Sequence, residues 1–157
     1  MKMFIVILFL LLVFSETSRE TFAQRKAVSA AEVTGTFRSY FKGKARRSYN
    51  EILIQAIGGN KLKVEMELIY PFEVNGEMSA HVGTASGNAV ITGDTAVLMP
   101  DDSGVGSESC KITLKFTRPG TLIVTTENNL NCGFGFNVSA DGTYKKSSRG
   151  KPRFRSS

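Results

Sequence analysis

Tryptophan is absent from this chain of 157 residues, histidine occurs once, cysteine twice and proline four times. A zinc site draws three or four ligands from cysteine, histidine and carboxylates. With His81 as the sole imidazole, no metal and no cofactor is expected. Acid–base chemistry meets the same shortage. Ser79 lies two residues from His81, which on a strand leaves their Cβ atoms about 7 Å apart, too far for a direct hydrogen bond. No Gly-x-Ser-x-Gly turn is present, so the nucleophile elbow of the hydrolases is missing. A partly exposed structural histidine is the simpler reading, and the chain is not expected to be an enzyme.

Long hydrophobic runs are also scarce. Met3–Phe14 is an unbroken apolar run of 12 residues, short of the ~20 that a bilayer-spanning helix needs. Lys2 precedes it, a polar stretch follows, and Thr21-Phe22-Ala23 places small side chains at the last and third-last positions before Gln24. This is the layout of a secretory signal peptide over residues 1–23, cut between Ala23 and Gln24. The expected location is secreted or periplasmic, without a stable membrane span.

Removing 23 of 157 residues leaves 134, enough for one domain with a real core. In an exported chain the pair Cys110 and Cys132 most simply means one disulfide, with two buried free thiols as the alternative. The leader takes two basic and two acidic residues with it, so the net charge of +6 persists. A positive surface suits anionic partners or no partner at all.

Period-two alternation dominates what remains. In Lys61–Tyr70 the residues Leu62, Val64, Met66, Leu68 and Tyr70 point one way, and Lys61, Lys63, Glu65 and Glu67 the other. A strand sorts these charges onto one face, whereas a helix would scatter them. Cys110, Ile112, Leu114 and Phe116 repeat the pattern, and Val33, Phe37 and Phe41 share a side of the first run. Turn signals stand between the runs at Gly58-Gly59-Asn60, Asn75-Gly76, Gly93-Asp94 and Arg118-Pro119-Gly120. The pattern predicts about nine strands: 33–41, 51–57, 61–70, 77–84, 88–92, 95–99, 109–117, 121–126 and 138–145. The short connections favour antiparallel neighbours.

Gly35-Thr36-Phe37 near the start is echoed by Gly142-Thr143-Tyr144 near the end. First and last strands that meet would close a barrel and remove exposed edges. The expected fold is therefore all-β, an antiparallel barrel of eight or nine strands over residues 33–146, with an open sandwich as the second choice. Residues 24–32 form an N-terminal extension with room for one helical turn, and 147–157 a disordered basic tail. Phe37, Met66, Phe116, Phe134 and Tyr144 are the candidate interior residues.

Two basic clusters stand out: Lys42, Lys44, Arg46 and Arg47 in the first loop, and Lys145, Lys146 and Arg149 at the end of the barrel. They form one anion-binding patch or opposite rims. Tyr40, Phe41 and Tyr49 flank the first cluster, as stacking aromatics would at a nucleic-acid site. Export and the core-facing position of Phe41 speak against that, so no nucleic acid partner is expected. Glu65 and Glu67 share a strand face about 7 Å apart, within reach of glycoside chemistry, but their lysine-bearing outer face reads better as solvated. Asp101, Asp102 and Glu108 match no calcium loop. Asn137-Val138-Ser139 is a formal glycosylation sequon.

The segment Asn131-Cys132-Gly133-Phe134-Gly135-Phe136 and its continuation to Gly142-Thr143-Tyr144 before a basic end resembles the last strand of a small exported bacterial β-domain. Such domains occur alone and as the C-terminal part of proteins similar to the LprI family of lysozyme inhibitors. The resemblance covers 33–145 loosely and 131–145 best. It implies an exported β-domain, a cysteine strand at Cys110 that pairs with Cys132, and inhibition of a hydrolase such as lysozyme. The cysteine-rich helical part of that family is missing, and Ser103-Gly104-Val105-Gly106-Ser107 carries serine where other periplasmic lysozyme inhibitors have tyrosine. No inhibitory residue carries over.

The expected function is a non-enzymatic, monomeric barrel that binds an envelope or extracellular protein or an anionic glycan. Loops 42–50, 100–108 and 127–136 are the candidate contact surfaces. A small-ligand carrier is the alternative, because an eight-strand barrel can hold one small ligand or be filled by side chains.

Overall fold

A computed structural model describes residues 27–101 and 109–155. Its strands are β1 (Gly35–Tyr40), β2 (Tyr49–Gly58), β3 (Lys61–Val74), β4 (Glu77–Thr92), β5 (Thr95–Leu98), β6 (Lys111–Arg118), β7 (Thr121–Glu127) and β8 (Gly142–Ser148). They follow one another in chain order around a closed antiparallel barrel. The seam joins β1 to β8, with Phe37 opposite Lys146 and Arg38 opposite Lys145. The two Gly-Thr-aromatic segments are thus on neighbouring strands, and both of their aromatic rings point inward and are buried.

The barrel has eight strands among the described residues, within the expected eight or nine, so two of the nine segments read from the pattern merge. The segments 77–84 and 88–92 are one strand, because Ala85, Ser86 and Gly87 stay in register with Met66, Glu65 and Val64. Gly87 does not interrupt the ladder. A Cβ there would lie 3.0 Å from the Leu98 side chain, so the small residue serves packing. Val33, expected in the first strand, closes a single-turn helix, α1 (Ala30–Val33), within the N-terminal extension. Ser29 and Glu32 form a capping box at its start, which satisfies helix N–H groups that have no partner in the turn itself. Residues 138–141, expected in the last strand, instead belong to the connection into β8.

The turns at Gly58-Gly59-Asn60, Asn75-Gly76, Gly93 and Gly120 all use positive φ. They occupy the places where the sequence sets glycine or asparagine, the residues that tolerate this geometry best. The core is the alternating inner face: Ile52 and Ile54 from β2, Leu62 to Leu68 from β3, Ile112 and Leu114 from β6, with Phe37, Met66, Phe116, Phe134 and Tyr144. Phe37 and Phe116 meet edge to face at 6.1 Å. These buried side chains line the interior of the barrel.

Both ends are covered. At the lower end, which bears the turns after β2, β4 and β6, Val33 of α1 is buried and Val28 packs on the core. Lys146 fastens α1 from below. Its ammonium donates to the carbonyls of Ala31, Glu32 and Thr34 at 3.0, 2.6 and 2.9 Å. These are the carbonyls that a short helix leaves without partners. Burial lowers the Lys146 pKa, with the charge of Arg149 acting in the same direction and Glu32 opposing. At the upper end, Phe134, Val138 and Ala140 of the β7–β8 connection drop into the barrel mouth.

The tail also departs from expectation. β8 runs on to Ser148, and residues 149–155 have a defined course over the outer wall, ending with Arg155 against β3.

Candidate functional site

The connections β1–β2, β3–β4, β5–β6 and β7–β8 leave the barrel at its upper end, so the three loops singled out in the sequence have their roots on one rim. Residues 102–108 of the second lie outside the described residues. The sequence reading missed one feature of this rim. The β2–β3 ladder stops at Glu51 opposite Glu67, and the Asn50 side chain then accepts a hydrogen bond from the Ile69 N–H at 2.8 Å. Beyond it, Tyr70–Val74 pairs with Glu77–His81 alone, as a two-stranded ribbon that overhangs the barrel. Pro71 was the available clue. It lies on the same edge of β3 as Ile69, where no ladder partner needs the N–H that proline lacks.

The ribbon's inner face continues the core stripe of β3. Tyr70, Phe72 and Val74 prolong the line of Leu62 to Leu68, with His81 opposite Tyr70. The His81 ring stacks on Phe72 with centroids 4.6 Å apart and lies parallel to Tyr70 at 6.3 Å. Phe136, from the β7–β8 connection, meets it edge-on at 5.7 Å. His81 is thus a half-buried ring in an aromatic cluster. Ser79 shares its face but takes no part in this stack.

Two features bring Phe136 to the ribbon. Gly135 adopts a left-handed backbone, φ 90°, beside the Val82 carbonyl. The disulfide between Cys110 and Cys132, S–S 2.06 Å, ties the loop to the start of β6. The result is an apolar surface with no cover among the described residues. Leu130 is 96% exposed and Phe136 73%, with Tyr70 and Val74 also exposed, while Val82 and Met78 are exposed on the opposite face of β4. A groove of about 400 Å³ runs between Leu130, Phe134 and Phe136, flanked by Asn129 and Asn137. Asn137 is exposed with a left-handed backbone.

The basic residues do not assemble. Lys42, Lys44, Arg46 and Arg47 are on the upper rim, where Lys44 pairs with Glu73 of the ribbon. Lys145, Lys146 and Arg149 are at the lower end. Lys145 donates to the Thr121 hydroxyl at 2.9 Å, and Lys146 is committed to α1. The clusters therefore mark opposite rims rather than one anion site. Glu65 and Glu67, read as solvated, are instead met by Arg155. Asp101 uses its backbone N–H on the Ser86 carbonyl, and Asp102 and Glu108 are outside the described residues.

Among the described residues no group of three or more His, Cys, Asp or Glu is placed to hold a metal ion. Nor does any described helix have the length and apolarity to cross a membrane. The segment 1–23, with its Ala23–Gln24 junction, falls outside the described residues. Comparison with protein-family models, curated proteins and solved structures finds no match.

Proposed function

We propose that this protein is an exported, non-enzymatic β-barrel that binds another protein through its upper rim. The observation that carries the reading is the overhanging ribbon with Phe136. An aromatic and aliphatic surface is held in water on a rigid scaffold, and it is continuous with the Leu130 groove. Contiguous exposed apolar surface of this kind marks interaction sites, and aromatic residues are enriched at the centres of protein interfaces. The split basic clusters weaken the anionic-glycan reading.

A hydrolase is the partner class to test first. The charge of +6 favours one with an acidic face over a strongly basic lysozyme, because like charges slow encounter and oppose docking. The test compares the mature chain with a Tyr70→Ser, Leu130→Ser, Phe136→Ser triple variant in quantitative capture from the native envelope or medium. A protein retained by the parent and lost by the variant, at unchanged melting temperature, supports the rim. Equal capture by both overturns it.

A further inference from the structure

A second surface lies below the ribbon, on the outer wall of β2 and β3, and uses residues other than those of the rim. Glu51 and Glu67 are directly opposite one another across the ladder, and Glu65 is two residues from Glu67 on the same face. Like charges in direct cross-strand pairs are destabilising. This wall is held together by arginine. Arg38 Nε donates to Glu51 at 2.7 Å. The second arginine comes from the end of the chain. The Arg155 guanidinium contacts Glu67 through one nitrogen and lies 3.8 Å from Glu51 through another. The Arg155 backbone N–H is 3.1 Å from each oxygen of Glu65. Beside it, the Phe154 ring takes the Lys63 ammonium on its face at 4.6 Å. Leu53 points out from the same wall, yet is only 8% exposed.

We propose that this wall is a binding site for arginine-bearing basic peptide segments, and that Phe154-Arg155 occupies it as an internal ligand. The chemistry of the occupant defines the class. A planar guanidinium fork can span two carboxylates, which the point charge of a lysine does less well. The contact from the Arg155 N–H to Glu65 asks for an accessible backbone, and the contact with Lys63 asks for an aromatic neighbour. The hold is reversible. Exposed ion pairs are individually weak and screened by salt, and Arg155 has a side chain 65% exposed.

What keeps the site closed is the short tether from Ser148, because a linked ligand competes at a high effective concentration. Arg149 and Arg153 are exposed in a segment without regular secondary structure, so cleavage after either would release the wall to an external peptide.

The test uses the full mature chain and a fluorescent peptide of the sequence Gly-Lys-Pro-Arg-Phe-Arg-Ser-Ser, which is that of residues 150–157. Arg155→Ala should bind the peptide at least tenfold more tightly than the parent, with affinity falling as salt rises. Adding Glu67→Gln to Arg155→Ala should remove that gain, and replacing the last arginine of the peptide, the counterpart of Arg155, by lysine should weaken it. Equal binding by parent and Arg155→Ala, no binding by either, or binding that ignores Glu67→Gln would overturn the proposal. Thermal melts of each variant establish that the barrel is intact.

Discussion

A Cβ on Gly83 would lie 2.2 Å from the Phe134 carbonyl oxygen and 2.8 Å from the Phe134 Cα. The backbone of the β7–β8 connection therefore rests directly on β4 at this point. The contact seats Phe134 in the barrel mouth and sets the path that brings Phe136 to His81. Because the obstructing atoms are backbone, no rotamer change relieves the clash. Gly83→Ala should destabilise the protein by about 1–3 kcal/mol, as overpacking does, seen as a melting temperature lower by several degrees. It should also reduce capture of any rim-bound partner. An unaltered melt would show that the loop yields freely.

Tyr144 makes the alkaline limit of stability predictable. Its hydroxyl donates to the Ala140 carbonyl at 2.8 Å in the barrel interior. Burial pushes its pKa up from the ordinary 10.0, partly offset by a side-chain hydrogen bond with Asn50. Above about pH 10 the unfolded phenol loses its proton while the folded one keeps it. The unfolded state then binds fewer protons, so stability falls as pH rises. Below pH 10 the contribution is complete. Tyr144→Phe should cost about 1 kcal/mol at neutral pH by leaving a buried carbonyl without its donor. It should also lose less stability than the parent between pH 9 and 11. Denaturant melts of both proteins at those pH values measure the difference. Parallel losses would mean that Tyr144 ionises in the folded state.

The parts of the fold legible in the sequence were those governed by local rules. Alternation in Lys61–Tyr70 told inside from outside, and the four turns announced themselves through residues suited to positive φ. The repeated Gly-Thr-aromatic segment anticipated the closing seam between β1 and β8. What escaped depended on pairing between distant segments. Nothing near Gly87 reveals that β4 runs through it, since that follows from register with Val64. The reach of the ribbon depends on where pairing with β2 gives out, at Glu51 opposite Glu67, before β3 has reached Tyr70. Lys146 read as part of an anion-binding cluster, and Arg155 as a charge of a disordered tail. Their roles, capping α1 and bridging Glu51 to Glu67, exist only once strands far apart in sequence have been brought together. Leu130 and Phe136 read as loop residues, and their exposure became informative only beside His81.

The disulfide and Gly83 act on the same loop from opposite sides, which makes their energies interdependent. Cys110 and Cys132 are separated by 22 residues, a loop for which the chain-entropy estimate gives a stabilisation of about 3 kcal/mol. Replacing both cysteines by alanine should lower stability by roughly that amount and leave the strands intact, because the bond joins connections outside the ladders. Sites that share a structural element are not additive. With the loop no longer anchored to β6, it can lift from β4, and an alanine at position 83 then meets less resistance. The triple variant should therefore be more stable than the sum of the separate losses allows, by about 0.5 kcal/mol or more. Denaturant melts of the parent, Gly83→Ala, the double-cysteine variant and the combination complete the cycle. Strict additivity would show that the Phe134 contact and the disulfide hold independent parts of the rim.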